Sequence, residues 1–486
     1  MYIIIKKRNK LGGIKMADTK TVGQKLKEKL LMNDKNGWEE TSEKEKEKIE
    51  EFCDGYIKFL NEGKTERECV KKAKEIAEEN GFKSLDKVKK LKAGDRVYTI
   101  NRDKNIVLAV IGEEPFENGL RVVGAHIDSP RLDLKPNPLY EDSGFAYFKT
   151  HYYGGIKKYQ WVTIPLAIHG VVALKDGSKV DIKIGDEGDD FTFVITDLLP
   201  HMARRQMEKK LSEGIEGEAL NVLLGSIPYE DEKVSEKVKL NILKILNEKY
   251  GIVEKDFLSA ELEVIPGFNA KSLGFDRSMV AGYGQDDKVC AYTSLRAIFD
   301  VEHPKKTAIC ILVDKEEIGS VGNTGMESRA FETFVGELLA LTGEDKTPNI
   351  IGRCFANSDM LSADVDGAFD PIYASVAEKR NASFFGNGVG LNKYTGARGK
   401  SGANDANAEY VARLRKLFDD NKVRFQISEL GKVDEGGGGT IAYILANKGF
   451  NVIDCGTPVL SMHSPYEVTS KFDVYMSYKA YKVFMQ

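Results

Sequence analysis

The sequence is poor in cysteine. Its six cysteines, among 486 residues, lie far apart, and no two form a C-x-x-C pair. That distribution argues against a disulfide framework and against a thiolate zinc site. Buried, reduced thiols are typical of cytoplasmic proteins, so we expect a cytoplasmic protein whose thiols carry no chemistry.

The chain also lacks long apolar runs and an excess of either charge. No run reaches the ~18 apolar residues that a membrane span needs. Lys and Arg number 71 and Asp and Glu number 75, which gives a formal net charge of -4. A nucleic-acid binder would show a basic excess. We therefore expect neither a membrane nor a nucleic acid as partner.

Two common catalytic motifs are missing as well. No G-x-S-x-G elbow occurs, which argues against a Ser/His/Asp hydrolase. The glycine run Gly436–Gly439 is followed by Thr440 and lacks the Lys-Ser/Thr ending of a P-loop. We expect this run to offer backbone N–H groups to a carbonyl or carboxylate rather than to a phosphate.

The first residues carry basic side chains and a short apolar run. Tyr2–Ile5 is only four residues long, which is too short for the apolar core of a signal peptide. A more ordinary sequence begins at Met16. We expect residues 1–15 to be an upstream extension without a role in the fold.

With 42% apolar and 30% charged residues, the chain can bury a sizeable core. Short β-branched runs predict strands at Val97–Ile100, Ile106–Ile111 and Leu120–Ile127. Thr307–Val313 is a continuous apolar run, typical of a buried strand, and Lys288–Phe299 predicts a helix. This alternation predicts an α/β fold with a mixed central sheet flanked by helices.

Residues 131–267 differ from the rest. Lys179–Ile184 alternates polar and apolar residues, as a half-exposed strand does, and Phe191–Ile195 is a further strand candidate. We predict a β-rich domain inserted here into a discontinuous domain formed by residues 1–130 and 268–486.

We expect the last segment of the chain to resume the alternation of strands and helices seen before residue 131. Gly449–Cys455 predicts a strand, and Pro465–Phe484 predicts a closing helix.

In open α/β sheets, ligands gather beyond the carboxyl ends of strands. Five places near predicted strand ends or helix starts carry side chains suited to a metal: His126 with Asp128, Asp286, Glu316 with Glu317, Asp364, and His463.

Each of these places has an ordinary interpretation when it is taken alone. Two acids before a helix are common caps, and an acidic run is usually a solvated face. As a set, two imidazoles and three carboxylates suit zinc, manganese or cobalt. If Asp286 bridges, two ions each receive three protein groups and keep open positions for water and substrate. Glu316 would then be the general base, and Asp128 would orient His126.

Five ordered segments of the chain together resemble one known family. They are GAHIDSPRLDLKPNP, GYGQDDKVCAYTSL, VDKEEIGSVGNTGM, SADVDGAFDP and LSMHSPYE, and they span about residues 120–470. The chain is identified by them as similar to the aspartyl aminopeptidases, a family of dinuclear zinc exopeptidases that includes yeast vacuolar aminopeptidase I. The resemblance implies a fold of the zinc exopeptidase type.

The resemblance also implies roles for individual residues. One zinc would be held by His126, Asp286 and Asp364, and the other by Asp286, Glu317 and His463. Glu316 would act as base and Asp128 would support His126. In this family the bridging aspartate often precedes a cis peptide bond, which here is Asp286–Asp287.

The insertion and one loop have implied roles too. Relatives assemble through the inserted domain as dodecamers, and a histidine of a Pro-His segment, here His201, reaches a neighbouring active site and donates a hydrogen bond to the oxyanion. Arg398 and Lys400 lie in a Gly- and Asn-rich loop and would bind an acidic substrate side chain. Relatives often have a histidine where this chain has Gly367, so the preferred N-terminal residue stays open.

The function expected from these observations is a metal-dependent aminopeptidase acting on peptides with a free N-terminus. Its cofactors would be two divalent ions per subunit, with zinc expected and cobalt or manganese left open. One alternative is a dinuclear hydrolase of another amide, such as an N-acylamino acid. Another is an inactive assembly or carrier protein that keeps the fold.

Overall fold

The computed structural model describes residues 20–32, 35–346, 348–396 and 398–486. The N-terminal extension expected at residues 1–15 lies outside the described residues. The α-helices of the described part are α1 (Val22–Leu30), α2 (Glu43–Glu62), α3 (Glu66–Glu79), α4 (Arg204–Met207), α5 (Leu211–Gly214), α6 (Lys237–Tyr250), α7 (Gln285–Phe299), α8 (Ala330–Thr342), α9 (Ile350–Ala356), α10 (Ala408–Asp420), α11 (Ala442–Ala446) and α12 (Lys471–Met485).

The strands of the described residues form three sheets. They are β1 (Lys83–Ser84), β2 (Arg96–Asn101), β3 (Asn105–Val110), β4 (Arg121–His126), β5 (Arg131–Asp142), β6 (Phe145–Tyr153), β7 (Leu166–Ala173), β8 (Lys179–Ile184), β9 (Val222–Gly225), β10 (Ala260–Pro266), β11 (Lys271–Leu273), β12 (Met279–Gly282), β13 (Ala308–Val313), β14 (Asp359–Ser362), β15 (Asp366–Gly367), β16 (Val389–Asn392), β17 (Phe425–Ser428), β18 (Asn451–Gly456), β19 (Pro458–Leu460) and β20 (Glu467–Ser470).

The largest sheet has nine strands in the order β1-β2-β3-β13-β4-β14-β18-β16-β17. Its centre is parallel, because β13, β4, β14 and β18 pair in parallel, whereas β2–β3, β3–β13 and β16–β18 are antiparallel. The mixed sheet flanked by helices that the sequence predicts is thereby confirmed.

Both faces of this sheet are apolar. In β13, Ala308, Cys310 and Leu312 join one buried cluster together with α2, α3, α7 and α12, whereas Ile309 and Ile311 join another with α8, α9 and α11. A strand buried on both faces needs apolar side chains at every position. That requirement explains the continuous apolar run that predicts β13.

A separate six-stranded sheet has the order β8-β7-β10-β5-β6-β9. All its strands lie between Arg131 and Pro266, and they contribute to one buried cluster that includes Trp161 and Val264. The third sheet has five strands, in the order β11-β12-β20-β19-β15. Within the described part of the chain, no helix has the length and apolar character to cross a membrane.

Individual predictions vary in accuracy. The strands predicted around residues 97–127 and the strand at Lys179–Ile184 are confirmed to within one residue. The closing helix is wrong at its start, because Glu467–Ser470 pairs with β12 as strand β20 before α12 begins. Phe191–Ile195 forms only isolated bridges, at Phe193 and Val194.

Candidate metal centre

Three parallel strands end at one edge of the nine-stranded sheet. His126 is the last residue of β4, while Glu316 comes shortly after β13 and Asp364 shortly after β14. Strand β4 pairs in parallel with both neighbours. The carboxyl ends of parallel strands meet at the same edge, so these side chains converge.

Asp286 lies between two imidazoles. It stands at the start of α7, and its Oδ1 is 3.1 Å from His126 Nε2 while its Oδ2 is 3.2 Å from His463 Nε2. His463 occupies the turn between β19 and β20. The structure therefore brings the predicted N-terminal and C-terminal histidines to opposite sides of one carboxylate.

Glu316 and Glu317 face different imidazoles. Glu316 Oε2 is 4.0 Å from His126 Nε2, and Glu317 Oε1 is 3.7 Å from His463 Nε2. The extended backbone of β13 does not continue through these residues, because Glu316–Ile318 forms a short 3-10 turn. The turn still separates the two carboxylates.

Asp128 holds the backbone of Glu316 and Glu317 in place. Its Oδ1 and Oδ2 accept the backbone N–H groups of Glu316 and Glu317, each at 3.2 Å. Its Oδ1 also lies 3.3 Å from His126 Nδ1, and its main-chain oxygen lies 3.0 Å from the same nitrogen. A hydrogen bond at Nδ1 directs the Nε2 lone pair of His126 into the centre.

Asp364 and Asp287 complete the acidic surroundings of His126. Asp364 Oδ1 is 3.9 Å from His126 Nε2, and His126, Asp287 and Asp364 each offer an atom within 4.8 Å of the others. Asp287 already accepts the backbone N–H of His126 at 3.2 Å. The Asp286–Asp287 peptide bond is cis, which confirms that expectation.

The carboxyl groups crowd one another. Burial raises the pKa of Glu316 to about 7, and the charge of Asp286 adds to that rise. Burial likewise raises the pKa values of Glu317 and Asp364 well above their usual range. Such a cluster favours a bound cation, because a cation offsets the repulsion between the carboxylates.

The pKa values of the two histidines are also raised, because carboxylates lie next to both imidazoles. Burial lowers the pKa of His463, but the hydrogen bond and charge of Asp286, the charge of Glu317 and the Gly155 carbonyl together outweigh burial and raise the pKa to about 10. Burial opposes ionisation of His126 as well, yet the hydrogen bonds with Asp128 and Asp286 raise its pKa well above the ordinary value. Asp286 thus attracts positive charge from two sides.

The donor atoms fit a divalent metal. His126, Asp286 and Glu317 each offer an atom within 4.8 Å of the other two, and Glu317 Oε1 is buried without a hydrogen-bond partner among the described residues. Imidazole nitrogens and carboxylate oxygens are ligands that zinc accepts. The residues present therefore suit a zinc site.

A cavity of about 430 Å³ opens onto these groups. Asn392, Thr395 and the glycine run Gly437–Gly439 form part of its wall. The predicted glycine-rich loop therefore borders the candidate centre, where its backbone can approach a bound molecule closely.

The remaining predicted residues lie elsewhere. His201 is exposed in the short turn Pro200–Met202. Lys400 Nζ is 3.1 Å from Asp405 and lies over the ring of Tyr394, and with Arg398 it borders a separate cavity that shares Thr395 with the first. These three residues are not among the described side chains around the metal cavity.

Sequence reasoning missed Glu467, which lies in the C-terminal motif. Its Oε1 accepts the N–H of His463 at 2.8 Å, and its Oε2 accepts the N–H of Asp286 at 3.1 Å. It thus holds the backbones of two candidate ligands that are far apart in sequence. The sequence signal that could have identified Glu467 is its position four residues after His463 in the same motif.

Comparison with known proteins gives a consistent result. The model of the family described as aminopeptidase I zinc metalloprotease (M18) matches residues 59–485. A curated relative from Clostridium acetobutylicum, named probable M18 family aminopeptidase 1, is 52% identical over 460 residues, which cover 94% of this chain and 99% of that protein.

Solved structures are also similar. The crystal structure of an M18 family aminopeptidase from Thermotoga maritima has a TM-score of 0.90 and 46% identity, and the match covers 94% of this chain and 99% of that chain. The structure described as the S. cerevisiae mApe1 dodecamer has a TM-score of 0.71 at 22% identity, with 90% and 95% covered. The second likeness shows a shared fold.

Proposed function

The chain belongs to the aminopeptidase I family of zinc metalloproteases (M18) and is a zinc metallo-aminopeptidase, and from that premise we propose that its centre holds two divalent ions. The observation that carries this proposal is the position of Asp286. Each of its two carboxylate oxygens faces a different imidazole at 3.1–3.2 Å, an arrangement suited to a bridging ligand.

The proposed ligand sets follow from these contacts. His126, Asp286 and Asp364 would hold one ion, and Asp286, Glu317 and His463 would hold the other. We prefer Asp286 to Asp287 as the bridge because one oxygen of Asp287 accepts the backbone N–H of His126. Zinc is the metal expected from the family, bound through nitrogen and oxygen donors.

Bound metal would polarise the scissile carbonyl and lower the pKa of an attacking water. Glu316 would take the proton of that water and pass it to the departing amine. Its carboxylate lies beside the centre, 4.0 Å from His126 Nε2, where it can reach such a water. Asp128 holds Glu316 in place through the backbone N–H.

We further propose a cytoplasmic homo-oligomer that acts on peptides with a free N-terminus. The six cysteines are free and buried, which suits a reducing compartment. The mApe1 neighbour is a dodecamer, and Leu199 and Met202 beside His201 are exposed apolar side chains. We propose that residues 131–267 form the assembling unit and that His201 enters a neighbouring subunit's site.

Metal analysis combined with a substrate panel tests the proposed function. The purified protein should contain two zinc equivalents per chain and should hydrolyse aminoacyl anilides with a free amine, but not their N-acetylated forms. His463→Ala should lose part of the zinc and nearly all turnover, while the exposed His151→Ala should change neither. Preferential cleavage of N-acetylated substrates would point to the acylamino acid alternative.

A further inference from the structure

Three consecutive residues at the end of β6 contact the candidate metal centre. Tyr153 is the last residue of β6, and Gly154 and Gly155 follow it. Strand β6 belongs to the six-stranded sheet, whereas the proposed ligands belong to the other two sheets and to α7. The contacts of this segment therefore join one sheet to a site built by others.

Tyr153 completes the hydrogen bonds of Asp128. Its hydroxyl donates to Asp128 Oδ2 at 2.9 Å, the same oxygen that accepts the N–H of Glu317. Asp128 is buried and lies against His126. A buried carboxylate needs each of its hydrogen bonds to keep one orientation. The Tyr153 hydroxyl thus helps to fix both His126 and the backbone of Glu317.

The ring of Tyr153 is itself held in place. The Arg131 guanidinium lies 3.9 Å from the ring centroid. Arg131 is buried between Glu263 of the six-stranded sheet, at 3.3 Å, and Glu66 of α3, at 3.6 Å. A guanidinium stacked on an aromatic face and paired with carboxylates has little freedom. The position of Tyr153 is therefore tied to both parts of the molecule.

Gly155 acts on the opposite histidine. Its carbonyl oxygen accepts a hydrogen bond from His463 Nδ1 at 2.8 Å. With its proton on Nδ1, the ring presents the lone pair of Nε2 toward Asp286 and Glu317. An acceptor at the remote nitrogen commonly fixes the tautomer of a ligating histidine.

Gly154 allows the chain to pass close to Glu317. Its φ of +73° favours glycine, and a Cβ there would meet Glu317 Oε2 at 3.0 Å and Glu317 Cβ at 3.3 Å. A side chain at this position would push the carboxylate of Glu317. The glycine therefore serves the approach to the site as well as the turn.

We propose that Tyr153–Gly154–Gly155 is a positioning segment of the metal centre, through which the six-stranded sheet controls how firmly zinc is held. Tyr153 acts on the side of His126, and Gly154 and Gly155 act on the side of Glu317 and His463. This inference rests on the proposed ligand sets and goes beyond them, because it assigns zinc retention to residues outside those sets.

Two substitutions with matched controls test the segment. Tyr153→Phe removes only the hydroxyl, and its control is Tyr152→Phe, an exposed tyrosine of the same strand. Gly154→Ala adds a Cβ toward Glu317, and its control is Gly144→Ala, which has a φ of +83° and nothing within 4 Å of the added atom. The backbone cost is therefore similar in both glycine variants.

The readout is the rate of zinc release from the loaded protein into a chromogenic chelator. We expect Tyr153→Phe and Gly154→Ala to release zinc about tenfold faster, in line with outer contacts of metal ligands. Both controls should stay within about twofold of the wild type. The kcat of the two test variants should fall while KM changes little, because substrate contacts are untouched.

The outcomes separate this inference from the proposed function. If Tyr153→Phe releases zinc at the control rate, the segment does not position the ligands, even where Gly154→Ala fails to fold. A lower melting temperature of the zinc-free Tyr153→Phe protein with unchanged zinc release would show a purely structural role and overturn the proposal. If wild-type protein binds no zinc, or His126→Ala and His463→Ala bind it normally, the proposed function fails instead.

Discussion

At the scale of single residues, the adjacent Glu316 and Glu317 can take the different roles proposed for them because their backbone is held at two points. The N–H groups of Glu316 and Glu317 bind separate oxygens of Asp128, and the two carboxylates then face different imidazoles. A small turn thus delivers one proposed base and one proposed ligand. Glu316 and Glu317 could exchange these proposed roles only if the backbone of the turn rotated.

Glu316→Gln should reduce kcat by about 10²- to 10⁴-fold, because an amide cannot accept the proton of the attacking water. The zinc content should stay that of the wild type, since Glu316 is outside the proposed ligand sets. Glu317→Gln is the contrast, and it should lose zinc. Metal analysis and anilide kinetics on the same samples measure both effects. Activity above about a tenth of wild type in Glu316→Gln would remove the base assignment.

Lys400 and Lys393 offer a matched pair for substrate preference. Both ammonium groups contact Asp405, at 3.1 Å and 2.8 Å, yet only Lys400, together with Arg398, is expected from the family resemblance to bind an acidic substrate side chain. Lys400→Ala should lower kcat/KM about tenfold for an N-terminal Glu substrate, the worth of one charged hydrogen bond, and leave a Leu substrate unchanged. Lys393→Ala should change neither. Equal losses for both substrates would refute the proposed contact.

At the scale of secondary-structure elements, helix α3 and strand β7 meet through a buried histidine. His169 Nδ1 is 3.1 Å from Glu68 of α3, and its Nε2 is 3.2 Å from Asp186. Lys64 and Lys183 also contact Asp186, at 2.6 Å and 3.6 Å. This cluster attaches the six-stranded sheet to the helical face of the nine-stranded sheet.

The cluster makes stability depend on pH. Burial lowers the pKa of His169, but the adjacent carboxylates of Asp186 and Glu68 together outweigh burial, so its pKa is raised. A raised folded-state pKa gives stability that is fully present below the unfolded value, ~6.5, and lost as pH rises through the folded value. The pKa of Glu68 is lowered by His169 against the effect of burial, so its contribution is lost as pH falls.

His169→Gln should therefore destabilise the protein more at pH 6 than at pH 9. The difference should approach about 1.4 kcal/mol for each unit by which the pKa is raised. Urea denaturation at the two pH values measures it, and the exposed His151→Gln serves as control. An equal loss of stability at both pH values would mean that folding does not shift the pKa of His169.

At the scale of the whole molecule, one region shows features expected of a subunit contact. Leu198, Leu199, Met202, Met207 and Leu211 are all more than half exposed. They lie within ten residues of His201 in the sequence, and His201 does not line its own chain's metal cavity. A group of exposed apolar side chains usually marks an interface.

His201→Ala should lower kcat by about 10²-fold if His201 donates to the oxyanion in a neighbouring subunit. Zinc content and subunit assembly, followed by metal analysis and light scattering, should not change. Met202→Glu should dissociate the assembly and lower kcat as well. Dissociated Met202→Glu protein with full kcat would show that each chain works without its neighbours.

Much of the fold and the centre could be predicted because local rules apply there. The apolar run of β13 and the acids after it indicate a buried strand that ends at a site. The long hairpin of β5 and β6 was not predicted, since Arg131–Asp142 mixes charge and proline (RLDLKPNPLYED) without a clear period. The contacts of Tyr153 and Gly155 were also missed, because their partners lie 25 and 308 residues away.

The kind of chemistry can be inferred from residue types and their order, because metal ligands must be particular side chains at strand ends and helix starts. Three further features depend on the folded chain: Asp286 faces two imidazoles, Lys400 pairs with Asp405, and the end of β6 contacts the centre. These contacts depend on how separate sheets pack against one another, and the spacing of residues along the chain does not specify that packing.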